Sequence, residues 1–266
     1  MSFLLKDQLG RDVKIDNTSP QRIVSLVPSQ TELLFDLGLD EEIAGLTKFC
    51  IHPANKVQKK TKIGGTKKLE IEKIKSLKPT LIIANKEENE KDQIEELANY
   101  FSIWISDVID LSSALEMVLS VGRITGKEKE AIALNNKISE RFTLLSKEIK
   151  PGSTAAYFIW KEPLMVAGDK TFINDMLQRC GFQNCFQKLS GHYPEISTEQ
   201  LQEANPKFIL LSSEPYPFKK KHRDDFKKIC PDSEIILVDG EMFSWYGSRL
   251  LQAPSYFKKL AEDLRH

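Results

Sequence analysis

Apolar and polar positions along this chain follow two rhythms. Short unbroken apolar runs, Ile23–Val27, Ile43–Leu46, Leu81–Ala84 and Ile103–Ile105, have the length and composition of strands buried on both faces. Between them, Thr31–Leu37, Ile71–Leu77 and Lys91–Tyr100 space their apolar residues as helices do. Strand–helix–strand alternation predicts a parallel sheet with helical crossovers. Ahead of it, Phe3–Leu5 and Val13–Ile15 flank Asp7-Gln8-Leu9-Gly10, a hairpin whose Gly10 supplies the positive φ of the turn, and Ser19-Pro20 then breaks the chain.

The rhythm changes in the middle. Leu111–Ile124 reads as a helix closed by Gly126, and Lys127–Ile149 as a longer one with Ala131, Leu134, Ile138, Phe142 and Leu145 on one face. At 1.5 Å per residue the second spans about 34 Å, enough to connect two lobes. After Pro151-Gly152, alternation resumes with strands at Ala155–Trp160, Phe208–Leu211 and Ile235–Val238, and helices near Phe172–Arg179, Glu199–Ala204, Lys220–Ile229 and Arg249–Leu264. The expected fold is α/β: two lobes, each a mainly parallel sheet flanked by helices, joined by one long helix. The expected boundaries are 1–110, a helical segment 111–150, and 151–266. A weak repeat supports duplication: Glu72 stands seven residues before Pro79 and the strand Leu81–Ala84, as Glu199 stands seven before Pro206 and Phe208–Leu211.

Ser29, with Glu32 three residues on, has the form of a capping box, so Leu26–Gln30 reads as a strand-to-helix turn at the carboxyl edge of the sheet. Ligands bind at that edge in open α/β sheets. Composition narrows the partners. Lys+Arg and Asp+Glu both number 38, a balance that argues against nucleic acid, whose binding needs a basic surplus. The longest apolar runs are far too short to cross a bilayer. Met1–Asp7 lacks the basic start, apolar stretch and small-residue cleavage site of a secretory leader, which leaves a cytoplasmic chain and one given without its leader both open. Four cysteines are too sparse for a disulfide scaffold; Cys180 and Cys185 read as a local bridge or as two buried thiols.

No nucleophile elbow, Ser-x-x-Lys or phosphate cradle is present; Gly64-Gly65-Thr66 reads as a tight turn. Nothing asks for catalysis or a resident cofactor, and the chain is expected not to be an enzyme. His52 and His192 are the candidate metal ligands, without the paired spacing of a strong zinc site. More informative are the large amphipathic residues where strands end: Phe49–Pro53, Asn85, Trp160, Met165, His192-Tyr193 and Phe243–Arg249. Aromatics on loops offer broad contact to a ligand or to a neighbouring lobe, and Arg249 carries a fork suited to a carboxylate or phosphate.

Arg22–Phe35 (RIVSLVPSQTELLF) resembles the opening of the helical-backbone substrate-binding proteins that serve ABC importers for cobalamin, haem and iron-siderophores. The likeness continues through Gly64-Gly65, Leu77–Ala84, Gly168, Tyr193–Ser197 and Trp245–Leu250, and is nearest the cobalamin-binding branch. It implies a ligand held in a cleft between two lobes, a monomer, and a periplasmic or extracytoplasmic location. By position, Ser29, His52, Thr66 and Asn85 of the first lobe and Trp160, Met165, Tyr193, Trp245, Tyr246 and Arg249 of the second line that cleft. Thr66 and Asn85 stand where cobalamin binders carry tryptophan, and His52 where they carry tyrosine; a histidine there suits cobalt or haem iron. The resemblance also implies that Glu72 and Glu199, one per lobe, dock on the importer's membrane subunits. The expected function is capture of cobalamin or a related corrinoid or metal chelate. The alternatives are a haem or ferric-siderophore binder, a cytoplasmic sensor or enzyme reusing the fold, and a binder of bare metal ion.

Overall fold

The computed structural model describes residues 2–16, 21–150 and 152–264. The Ser19-Pro20 break and Pro151 lie outside the described residues. The hairpin forms as read: β1 (Ser2–Lys6) pairs antiparallel with β2 (Asp12–Asp16), and Gly10 has φ +79°. Asp7 organises the turn by accepting from the Leu9 and Arg11 N–H groups and from Arg11 Nε.

The first sheet comprises β3 (Ile23–Ser25), β4 (Ile43–Leu46), β5 (Thr61–Lys62), β6 (Leu81–Asn85) and β7 (Ile103–Ser106), all parallel, in the order β5-β4-β3-β6-β7. Its crossovers carry α1 (Pro28–Asp36), α2 (Ala54–Val57), α3 (Ile71–Ser76) and α4 (Lys91–Ala98). Every residue of β3, β6 and β7 is buried, as the unbroken apolar runs require. One core layer packs Val24, Ile82, Ala84, Ile103 and Ile105 against Ile74, Ile94 and Leu97 of α3 and α4. Next come α5 (Leu111–Ile124) and α6 (Glu128–Glu148).

The second sheet runs β10-β8-β11-β12, parallel throughout, with β9 antiparallel on β8: β8 (Ser153–Trp160), β9 (Met165–Val166), β10 (Phe182–Asn184), β11 (Phe208–Ser212) and β12 (Glu234–Val238). Its helices are α7 (Phe172–Arg179), α8 (Thr198–Ala204), α9 (Arg223–Ile229), α10 (Gly240–Ser244) and α11 (Ala253–Asp263). Phe158, Ile209 and Leu211 pack with Leu201 and Phe226 in its core.

The chain parts into two compact units. The first takes residues through Val108, Ser112–Asn136 and Tyr246–Arg249; the second takes Ile109–Leu111, Lys137–Trp245 and Leu250 onward. α6 therefore runs from one unit into the other. Each unit is α/β with its own mainly parallel sheet; β3 lies between β4 and β6, and β8 between β10 and β11, so in each sheet the chain winds first to one side of that strand and then to the other. Such a reversal of winding marks a topological switch point, where the carboxyl ends of strands leave room for a ligand.

Several local expectations change. The capping box is absent: α1 begins at Pro28 with Val27 as its N-cap and no side-chain cap, because proline's fixed φ suits the first helical position. Ser29 is thus inside the helix, and Glu32 is available for another partner. The helix expected over Lys220–Ile229 opens with a separate 3-10 turn, Lys220–His222, before α9. The one expected over Arg249–Leu264 divides into a 3-10 turn, Ser248–Leu251, and α11, whose first turn holds Pro254. All four cysteines are free thiols, and Cys185 is only half-buried. Among the described residues no helix is long and apolar enough to cross a membrane.

Candidate functional site

At the switch point of the first unit, polar side chains knit the strand ends together. Asn89 Nδ2 donates to the carbonyls of Leu26 (3.3 Å) and Thr66 (3.1 Å), and its Oδ1 accepts from Asn85 N–H at 2.9 Å. Asn85 Nδ2 donates to Ser106 Oγ at 3.0 Å, while its Oδ1 accepts from the N–H groups of Glu87 and Glu88. The Asn85 amide is therefore committed on both ends, to Ser106 at the end of β7 and to its own turn. Ser29, Thr66 and Asn85 are brought to one edge and are all buried. Gly64-Gly65-Thr66 is the expected tight turn, closed by Gly65 N–H on the Lys68 carbonyl at 2.8 Å.

Arg249 does not present an open fork. Its Nε donates to Glu32 Oε2 at 3.0 Å and its Nη2 to Oε1 at 2.6 Å, with the two side chains only 8% and 11% exposed. Gly247, at φ +107°, lets the strap Tyr246–Arg249 lie on α1, where a Cβ would stand 3.3 Å from Leu33 Cβ and 3.5 Å from the Ser29 carbonyl. Burial pushes the Glu32 carboxyl up, and the Arg249 charge and hydrogen bonds pull it back; Asp36 and His52 also act on it. His52 is half-buried, two residues beyond the inward-facing Cys50.

In the second unit the strip Leu164–Gly168 pairs with His192–Ile196. Val166 N–H donates to the Pro194 carbonyl, Gly168 N–H to that of His192, and Ile196 N–H to that of Leu164. Met165 also faces Trp160 across β8–β9 and Glu195 in an isolated bridge, so Trp160, Met165 and the half-buried Tyr193 and His192 share one edge. Trp160 is 39% exposed, with its ring edge-on to Tyr216 at 5.4 Å between centroids. Trp245 is placed differently from expectation: it is 6% exposed and donates from Nε1 to Glu214 Oε1 at 2.8 Å. Tyr246, grouped with the first unit, is equally buried. The loop that carries the two rings is held by the Glu214–Trp245 hydrogen bond on one side and the Glu32–Arg249 pair on the other.

Glu214 was not legible in the sequence, since an acid between a strand and Pro215 reads as a solvated turn. It accepts from Ser244 Oγ (2.7 Å) and Trp245 Nε1, and burial pushes its carboxyl up, with Glu241 and Asp239 adding to the rise. Among the described residues no group of three or more His, Cys, Asp or Glu is arranged to hold a metal ion. Glu72 lies in the first turn of α3 and Glu199 in that of α8; both are exposed.

A model of the periplasmic binding proteins matches residues 23–229, most of the chain, with all of the first sheet and the second up to β11. The chain belongs to this family. Among its relatives, an ABC transporter substrate-binding lipoprotein of Bacillus subtilis, YvrC, is 26% identical over 98% of this chain and 84% of its own length. A vitamin B12-binding protein of Pectobacterium atrosepticum is 26% identical over 88% and 86%. Among solved structures, the periplasmic haem-binding protein RhuT of Roseiflexus shares the fold at a TM-score of 0.80 and 21% identity, covering 92% of this chain and 99% of its own. This periplasmic binding protein is accordingly a substrate-binding protein of the ABC-transporter type, and its relatives are binding proteins rather than enzymes.

Proposed function

We propose that the chain is the extracytoplasmic capture subunit of an ABC importer and takes up a metal chelate, a flat corrinoid first and haem or a ferric siderophore second. In each unit the candidate ligand contacts lie at the carboxyl edge of the sheet. Trp160, Met165 and Tyr193 contribute from the second unit; His52, Thr66, Ser29 and Asn85 contribute from the first, with Trp245, Tyr246 and Arg249 holding the strap that frames them. Glu72 and Glu199 receive the membrane subunits.

The observation that carries this reading is the placement of Trp160, an indole left open at the end of β8 and braced by Tyr216. Such a ring offers a broad face at small entropic cost. Relatives named for vitamin B12 and a fold neighbour named for haem support the ligand class. Calorimetric titration with cyanocobalamin, haemin and a ferric siderophore tests it. Uptake of at least one is expected, with Trp160→Ala weakening it about tenfold; heat from none rejects the proposal.

The haem reading is favoured by His52, half-buried on a pinned loop where neutral imidazole suits iron. On that reading His52→Ala removes the coordination-dependent visible bands, and an unchanged spectrum rejects the role.

A further inference from the structure

The loop Lys48–His52 leaves β4 at the carboxyl edge of the first sheet. Its middle residue anchors it: the buried Cys50 thiol lies 3.1 Å from Thr31 Oγ1 and 3.2 Å from Thr47 Oγ1, and Cys50 N–H donates to the Thr47 carbonyl. With Cys50 held inward, its neighbours turn outward, leaving Phe49 52% and Ile51 49% exposed. An ordered loop that keeps two large apolar side chains in water forgoes burial the core would give, which points to a surface covered by something else.

The Phe49 ring has a fixed seat. It lies over Gly65, where a Cβ would come within 3.0 Å of Phe49 Cε2 and 3.5 Å of Lys48 Cε. Lys48 Nζ stands 5.1 Å from the ring centroid. Gly65 is therefore a floor for the edge of the Phe49 ring and the Lys48 stem, whose ammonium stands over that ring. Thr66, next along that floor, is not aromatic, and the Asn85 amide is spent within the fold.

The geometry points to Phe49 as the aromatic wall that the first unit gives to the ligand, with Lys48 beside it selecting a flat chelate that carries a negatively charged group. This rests on the function proposed above. Phenylalanine has no ligating atom, so it recognises the macrocycle rather than its metal, while the ammonium receives a carboxylate or phosphate oxygen through a charge-assisted hydrogen bond.

Titrations of wild type, Phe49→Ala, Phe49→Trp and Lys48→Ala with haemin, which bears two carboxylates, and with cyanocobalamin, which is neutral overall, test the assignment. Phe49→Ala is expected to weaken any bound probe about tenfold while leaving the thermal midpoint unchanged, because the ring is half in water already. Phe49→Trp keeps affinity within about threefold. Lys48→Ala weakens haemin about fivefold and cyanocobalamin less than about twofold. Wild-type affinity in Phe49→Ala overturns the assignment alone, as does a wild type that takes only cyanocobalamin for the charge selection. A wild type that binds neither probe overturns this assignment, and one that also takes no ferric siderophore overturns the proposed function with it.

Discussion

Arg249 and Glu32 hold two formal charges against α1 with almost no water in reach. A buried pair of this kind adds little over an apolar pair, but removing one partner strands the other charge. Arg249→Met is therefore expected to destabilise the fold by about 3–5 kcal/mol near neutral pH. The pH dependence has a definite sign. Desolvation already raises the Glu32 carboxyl, and the largest opposing influence is Arg249. Without it the folded carboxyl holds its proton to higher pH. A carboxyl raised on folding contributes stability that is complete below its unfolded range and lost as pH rises through the folded value. The Arg249→Met deficit should thus be largest in alkali and shrink on acidification, seen as converging urea midpoints between about pH 8 and about pH 5. A deficit equal at both would show that packing, not charge, governs the site. Glu214 follows the same sign. Glu214→Gln keeps an acceptor for Trp245 Nε1 and removes the ionisation, so its thermal midpoint should gain on wild type progressively as pH rises. A gain that does not grow with pH would place the raised carboxyl outside the balance of stability.

Helices α5 and α6 meet through a small residue. A Cβ at Gly122 would collide with Ala131 Cβ and stand 2.9 Å from the Lys127 carbonyl, both within the first unit. Gly122→Ala should therefore destabilise by about 1–3 kcal/mol through overpacking, although alanine is the better helix former. A raised thermal midpoint would contradict the contact. These two helices were legible in the sequence because each repeats its apolar period over at least three turns; α5 ends where read and α6 within one residue at either end. The elements that went unread, α2, β5, β9, β10 and α10, span two to five residues, too few for a period. The repeat was legible and has a backbone counterpart: Lys78 (φ +47°) and Asn205 (φ +37°) are both left-handed immediately before Pro79 and Pro206. The Ser29–Glu32 spacing was misleading because Pro28 claims the first helical position. That frees Glu32 for Arg249, 217 residues away, and a local motif carries no information on such a pairing. The aromatic residues divide for a related reason. Sequence places Trp160 and Trp245 alike beyond strand ends, but the buried acceptor on Glu214 draws Trp245 inward, whereas Trp160 Nε1 reaches only the Glu162 carbonyl close by in its own loop.

Each of the two units carries one exposed glutamate at the second position of a helix that precedes a proline and a parallel strand: Glu72 in α3 and Glu199 in α8. Their local ties differ. Lys75 reaches Glu72 at 2.9 Å and Glu96 at 3.0 Å, whereas Glu199 Oε1 accepts from Thr198 Oγ1 at 3.0 Å. The Glu72 side chain remains 86% exposed even so, and an exposed pair of this type is worth only about 0–1 kcal/mol, so a cationic partner can displace Lys75 at little expense. Two α/β units that each carry such an anion suit a partner built from two like subunits, since each unit can meet an equivalent basic patch. On that argument Glu72→Lys and Glu199→Lys should each weaken assembly with the reconstituted importer about tenfold, and the double variant should not assemble at all. Ligand affinity in solution should stay within about twofold, because neither side chain stands at the strand ends proposed to hold the ligand. Binding of the double variant to importer in lipid nanodiscs reads this directly. Wild-type assembly by the double reversal would reject docking through these residues while leaving ligand capture intact, and parallel loss of ligand binding would show instead that the reversals had disturbed the fold.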